Sequence, residues 1–465
     1  MPRPFLSGLL SLFFPGAGQV YSGRIRRGLA IAALAVSAVG LAAWYVRRSG
    51  SSIADDIVSL DVLLGLLVAN GIVLLVRFWV VADAYALAAR RRRRALGRLN
   101  PFAATFSILL LAVLTAAPHT VLGWGTYVTY DTIDTVFADE EPQDVLSPAE
   151  LAFLPALVPG KGRALHGDRP LAPPEPESRK WTTVLLIGGD AGYGRVGLRA
   201  DTMIAVSVQA NTGRAALFSV PRNLDNVPLV GRAGRSYGRF PDILNALYRF
   251  AQANPELFPG GRDPGATALK QTISGLLGIP VHYYVMVDLR GFVEVVDALG
   301  GIKMIAPDSV DDLTSPAYPG EPWTEIQVEE GEKISLDGRQ ALAYARSRSA
   351  SSDYTRMVRQ RCVLVAMADR IDSMRVVRSL ARLSGAAKKY VSTDIPRQRL
   401  PELIVLLRGI DPSRTLAVSF TPPAYSVVQP DVAAYRATAR RMMRQRIPRE
   451  PGDDLRTVAG ACETD

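Results

Sequence analysis

Cysteine and histidine are scarce in this chain of 465 residues. It has two cysteines, Cys362 and Cys462, and three histidines, His119, His166 and His282. Two cysteines exclude a disulfide-built scaffold and a structural zinc cluster. The histidines stand far apart, with no HExxH pair, which excludes a histidine-built metal site. Long disordered or collagen-like tracts are excluded too, because 48% of the residues are apolar. The mean hydropathy of +0.12 is high for a soluble protein and points to membrane segments. The length allows roughly two to four domains of ~150 residues.

The net charge of +10 first suggests nucleic acid. Its distribution argues against that. Residues 1–124 hold 13 Lys+Arg against 4 Asp+Glu, a balance of +9, and the rest of the chain holds 41 against 40. The basic excess belongs to the apolar N-terminal part, and no nucleic-acid partner is expected. A polybasic run beside a membrane segment, here Arg90–Arg94, is what anionic membrane lipids attract.

Three stretches in that part are long and apolar enough to cross a bilayer, 28–46, 62–82 and 102–124. Phe5–Phe14 is too short and reads as an interfacial or re-entrant helix. Arg24, Arg26 and Arg27 precede the first span, and Arg90–Arg94 with Arg98 lie between the second and third. By the positive-inside rule the chain starts in the cytoplasm, and everything after about residue 125 lies outside the cell membrane. Pro15-Gly16-Ala17-Gly18-Gln19 with Tyr21 and Gly23, and the later Asp83-Ala84-Tyr85, resemble a small bacterial membrane module of the PGxGQxYxG…DAY type.

Residues 125–180 read as an extracytoplasmic proline-rich linker, with eight prolines between 138 and 180 and a short helix at Pro148–Leu157. From Trp181 strands and helices alternate. Strands are predicted at Thr182–Ile187, Asp201–Val208, Ala215–Val220, His282–Val287 and Ile302–Ala306, the second and third joined as a hairpin by Asn211-Thr212-Gly213. Helices are predicted at Thr267–Leu277, Arg290–Leu299, Leu336–Ala345 and Ser352–Asp372. The alternation predicts a three-layer α/β/α sandwich with a mixed central sheet over 181–448, an all-α transmembrane module before it and a tail at 449–465. The spacing leaves open whether Cys362 and Cys462 pair.

Ionic residues collect at strand ends and on one helix. Asp190 follows Gly188-Gly189, Arg199 and Asp201 open the second strand, and Arg222 closes the third. Arg346 and Arg348 end one helix. Asp353, Arg356 and Gln360, spaced i, i+3, i+7, share a face of the next. Several arginines converging with two carboxylates call for a polyanion between them, since arginine grips phosphate bidentately. Two aspartates at strand ends suit magnesium, which takes carboxylates plus phosphate oxygens. Together they read as a pyrophosphate site with a bridging metal.

The segments VLLIGGDAG (184–192), RADTMIAVSV (199–208), LFSVPRN (217–223), LNALY (244–248), 268–302 and LDGRQALAYARSRSASSDYTRMVRQR (336–361) occur in an order that resembles the LytR-CpsA-Psr family of cell-envelope phosphotransferases. The resemblance covers roughly residues 180–445. It implies Mg2+ on Asp190 and Asp201. It implies Arg199, Arg222, Arg346 and Arg348 around the pyrophosphate of a polyprenyl-linked glycan, with Asn245 and Arg359 as further substrate contacts. Asp353, Arg356 and Gln360 match its DxxRxxRQ helix and count among the catalytic residues. It implies a prenyl tail in an apolar pocket that helices 268–277 and 290–299 line. The reaction implied moves a teichoic-acid-like glycopolymer from its polyprenyl-pyrophosphate carrier to a peptidoglycan hydroxyl, with Asp201 and Asp353 both open as the proton acceptor.

Two positions depart from the family pattern. Asn223 stands where the family has aspartate, and Ile243 where it has lysine. A non-catalytic lipid-pyrophosphate binding protein is therefore the alternative, together with a membrane-bound transcriptional regulator, an older label for the family.

Overall fold

The computed structural model describes residues 3–49, 59–96, 100–147, 150–151, 181–190, 198–316, 320–348, 353–370, 373–444, 456–457 and 462. The chain divides into two units, Met1–Ile133 and Asp134–Asp465.

The first unit holds α1 (Pro4–Phe13), α2 (Ala17–Tyr21), α3 (Ile25–Ser49), α4 (Leu60–Leu96) and the start of α5 (Pro101–Val136). α3, α4 and α5 each contain a stretch long and apolar enough to cross a membrane. Their large apolar side chains face outward: Leu34 and Val36 are 72% exposed and Phe102 is 79% exposed. Water would penalise such surface, whereas lipid covers it without cost. α5 runs to Val136, past the boundary expected near residue 124.

The PGxGQ…DAY pattern has a packing explanation. Gly16 takes a left-handed φ of 94°, and a Cβ there would come within 2.1 Å of the Gly28 carbonyl oxygen. The Ser7 hydroxyl lies 2.8 Å from the Gly18 carbonyl oxygen and 2.9 Å from that of Ala84. Gln19 donates from Nε2 to the Val80 carbonyl and to Asp83, and Asp83 pairs with Arg27 at 2.9 Å. The motif residues therefore staple α1 and α2 to α4 through polar groups that an apolar solvent would leave unpaired.

The second unit is built on a seven-stranded mixed sheet in the order β11-β10-β3-β2-β1-β4-β9. In chain order its elements are β1 (Trp181–Asp190), β2 (Arg199–Gln209), β3 (Ala215–Ser219), α6 (Gly231–Tyr237), α7 (Leu247–Ala253), α8 (Pro264–Leu277), β4 (Tyr283–Asp288) and α9 (Leu289–Ala298). There follow β5 (Ile302–Ile305), β6 (Val310–Thr314), β7 (Thr324–Val328), β8 (Lys333–Leu336), α10 (Gly338–Arg346), α11 (Asp353–Asp369) and α12 (Ser373–Tyr390). The unit ends with β9 (Val391–Thr393), α13 (Leu400–Arg408), β10 (Thr415–Ser419), α14 (Val432–Arg444) and β11 (Arg456–Thr457).

Strand alternation sorts the core into two layers. Leu185, Ile187, Met203 and Phe218 pack with Leu269 and Ile273 of α8 and Tyr435 of α14. Leu186, Ile204 and Leu217 face the other way, toward Leu364 of α11 and Leu406 of α13. Helices thus cover both faces of the sheet, a three-layer α/β/α sandwich. β5 pairs with β8 and β6 with β7, each as a separate antiparallel ribbon. The strand expected at 302–306 therefore stands outside the central sheet.

Two segments expected to be peripheral carry structure. Residues 138–146 of the expected linker belong to the second unit: Ala138 bridges Pro396, and Asp144 is buried against Lys270 at 2.7 Å. Leu146 and Leu151 cluster with Val230. Residues 152–180 lie outside the described residues, as does most of the helix expected at 148–157. In the expected tail, β11 pairs with β10, and Cys462 forms a disulfide with Cys362 of α11.

Candidate functional site

The site grows from the carboxyl ends of β1 and β4 and the start of β2. β1 and β4 run parallel, with Gly189 beside Asp288, so Asp190 and Asp288 emerge at the same edge. The β1–β2 ladder slips there: Gly188 pairs with Thr202 and Gly189 with Ala200. Asp201 is the extra residue of this bulge. A bulge bends its strand and re-aims the unpaired side chain, here toward the edge where Asp190 ends. Gly188 is required by the close approach, since a Cβ would stand 2.9 Å from the Thr202 Cβ.

Asp201 organises the groups around it. Arg222, just after β3, forms an ion pair with it at 2.8 Å, and Asn245 Nδ2 lies 3.4 Å from the same carboxylate oxygen. The Asn245 backbone N–H donates to the Arg222 carbonyl at 3.0 Å, which holds the two loops together. From α11, Arg356 Nη1 lies 3.5 Å from the Asp201 carbonyl oxygen, and the residue is only 3% exposed. Gln360, one turn on, donates to the Ala345 carbonyl at the end of α10.

Beside these groups lies a cavity of about 180 Å³. Its polar mouth comprises Asp190, Asp201, Arg346, Arg356 and Gln360. Its walls are apolar: Leu186 and Val285 from the sheet, Phe292 and Val295 from α9, Leu342 from α10 and Val363 from α11. α9 falls within the helices expected to line a lipid pocket. α8 does not line it, because its residues are buried on the opposite face of the sheet.

The other expected site residues divide by position. Arg199 is exposed and stands opposite Asp190 in the ladder. Arg346 donates to the Ser315 carbonyl at 3.1 Å. Arg348 is exposed, its backbone N–H bonded to Asp312 at 3.1 Å, and it does not line the cavity. The side chain of Asp353 lies outside the described residues, although its backbone opens α11. Arg359, expected as a substrate contact, does not line the cavity. It is fully buried, donates to the Ser347 carbonyl at 2.8 Å, approaches Asp308 at 3.6 Å and lies over the Tyr344 ring. Its side chain reaches into the core beside α10, where the bond to the Ser347 carbonyl braces the turn between Arg346 and Arg348. Burial pushes the Asp308 carboxyl up from its ordinary range, with the Arg359 charge opposing.

Asp288 went unnoticed in the sequence. It lines the cavity, caps α9 through the Gly291 N–H at 2.7 Å, and burial raises its carboxyl above the usual range. Its one sequence signal was a carboxylate between a strand and a helix. The two departures from the family pattern, Asn223 and Ile243, are half-buried and do not line this cavity.

Magnesium is a hard cation that takes oxygen ligands. That ion accepts one or two carboxylates and completes its octahedron with water and phosphate oxygens. Asp190 and Asp201 on one cavity mouth fit such a site. Among the described residues no cluster of three or more metal-ligating side chains forms a closed protein cage.

Arginines and carboxylates thus border an apolar cavity within an α/β/α sandwich. The LytR_cpsA_psr family model matches residues 161–428, more than half of the chain, and the chain belongs to that family. It is 28% identical over 229 residues to the polyisoprenyl-teichoic acid–peptidoglycan teichoic acid transferase TagU of Oceanobacillus iheyensis, covering 49% of this chain and 62% of that protein. It is 28% identical over 292 residues to TagV of Bacillus subtilis, a transferase of the same printed name, covering 62% and 63%. The chain thus spans less than two-thirds of the length of these relatives. The crystal structure of B. subtilis TagV superposes with a TM-score of 0.40 at 25% identity, over 57% of this chain and 98% of that one.

Proposed function

We propose that this protein is a phosphotransferase that moves a glycopolymer from a polyprenyl-pyrophosphate carrier to a hydroxyl of peptidoglycan. The observation that carries the reading is the cavity: apolar walls suited to a prenyl chain, with Arg346, Arg356, Asp190 and Asp201 at its mouth. The activity named for the relatives in TagU and TagV supports it.

In this reading the prenyl tail enters between α9 and α11 and the pyrophosphate rests at the mouth. The acceptor hydroxyl attacks the phosphorus that bears the sugar. A new P–O bond forms, the bond from that phosphorus to the bridging oxygen breaks, and polyprenyl phosphate leaves with the bonding electrons. The hydroxyl proton passes to a carboxylate, for which Asp201 and Asp353 remain the candidates. Arg346 and Arg356 neutralise charge growing on the leaving phosphate, which is the main demand of phosphoryl transfer. Arg222 holds Asp201 in place, and Asn245 positions Arg222. Magnesium bound by Asp190 and Asp201 would supply further charge neutralisation at the phosphates. With water as acceptor, the same geometry would break the same bond and release the glycan as its sugar phosphate together with polyprenyl phosphate.

By the positive-inside rule the arginine distribution of the first unit supports a second unit outside the cytoplasm, where carrier lipid and wall acceptor would meet. The disulfide Cys362–Cys462 supports that location, since such bonds persist in oxidising compartments.

The test is polyprenyl-phosphate release by the full-length protein in detergent with its lipid-linked donor. Arg346→Ala with Arg348→Ala should lower the rate at least a hundredfold, roughly the loss of one strong charged contact in the transition state. An unchanged rate would overturn the arginine assignment.

A further inference from the structure

The hairpin β6–β7 carries an exposed apolar patch next to the site. Trp323 is 60% exposed and Leu313 is 58% exposed. Exposure alternates along both strands, so one face of the hairpin looks outward. Leu313 pairs with Glu325 and Thr314 with Thr324. Ser315 and Trp323 adjoin that last pair in sequence, and both are exposed, as are Leu313 and Glu325. Farther along this face the exposed pair is Asp311 and Gln327.

This patch is tied to the mouth by direct contacts. Arg346, which lines the cavity, donates to the Ser315 carbonyl at 3.1 Å and reaches its hydroxyl at 3.5 Å. The Arg348 backbone N–H donates to Asp312 at 3.1 Å. A pyrophosphate held by Arg346 therefore places whatever it carries next beside Ser315 and Trp323.

We propose that Trp323 and Leu313 form a platform for the sugar ring adjacent to the donor pyrophosphate, with Asp311, Glu325 and Gln327 accepting its hydroxyl protons. This inference rests on the phosphotransferase reading above. A pyranose ring has an apolar C–H face that loses water on an indole and a rim of hydroxyls that carboxylates and amides bind. The two carboxylates also define the class of sugar. They repel phosphate groups, so the platform takes an uncharged sugar. The same charges disfavour an anionic lipid surface as the occupant.

The experiment compares binding of two lipids to the full-length protein in detergent, polyprenyl pyrophosphate with and without an attached neutral disaccharide. Trp323→Ala should weaken the glycosylated lipid roughly fivefold to tenfold, the scale of one aromatic stacking contact. It should leave the sugar-free lipid unchanged, and Trp323→Phe should restore most of the loss. In turnover the effect should fall on KM with kcat changed less than about twofold. Equal weakening of both lipids, or of neither, would overturn the platform while leaving the pyrophosphate site standing. Wild-type protein that binds neither lipid would overturn the phosphotransferase reading itself, and the platform with it.

Discussion

At the scale of single residues, charge is handled in two ways. At the cavity, Asp201 is half-buried and meets Arg222 and Asn245. In the interior, Lys270 is 1% exposed and meets Asp144 at 2.7 Å as well as Asp394, which also accepts the Tyr284 N–H at 2.7 Å. This second cluster ties the segment after α5 to α8 and β9. Replacing Lys270 by Met would strand two buried carboxylates, so Lys270→Met should cost about 3–5 kcal/mol. Chemical denaturation of the full chain measures this, and a loss under ~1 kcal/mol would mean that water already solvates the cluster. Residue-scale chemistry was partly legible in the sequence. The i, i+3, i+7 spacing placed Arg356 and Gln360 on one face, and both line the cavity. Arg359 does not, because motif adjacency says nothing about which side chains of a helix reach into the core. Lys270 and Asp144 lie 126 positions apart, and no local pattern joins them.

At the scale of elements, the register of β1 on β2 decides the site. The strands were legible from apolar runs ended by glycine, and the β2–β3 hairpin from its Asn211-Thr212-Gly213 turn. The bulge at Asp201 was not, because a one-residue slip between paired strands leaves no mark on either strand alone. Gly188 makes the slip possible. Gly188→Ala would press its Cβ on Thr202, a near-backbone atom that moves only with β2. Overpacking of this kind costs about 1–3 kcal/mol and here displaces Asp201. Turnover should fall at least tenfold, and Thr202→Gly in the same chain should recover much of it. A Gly188→Ala enzyme of wild-type activity would show that the bulge does not set the position of Asp201. The β6–β7 hairpin also escaped the sequence reading. Its alternation spans five residues per strand and is interrupted by a proline-rich turn that reads as loop.

At the scale of the whole molecule, the division of charge follows the division of labour. The basic excess lies in the unit whose apolar helices face outward, and the second unit is nearly neutral. Its site therefore relies on local convergence of arginines and gains no long-range attraction from net charge. The membrane helices were legible because a run of ~20 apolar residues has few other uses. The extent of the second unit was not. Asp144 and Cys462 belong to its core through one ion cluster and one disulfide, both made with distant residues. The central claim is that one cavity holds the lipid while its mouth holds the pyrophosphate. The most direct measurement is an experimental structure of the full-length protein with polyprenyl pyrophosphate and magnesium. The account predicts prenyl density between Phe292 and Val363, with the two phosphates between Asp190 and Arg346. A lipid bound elsewhere, with this cavity still closed around protein atoms alone, would contradict it.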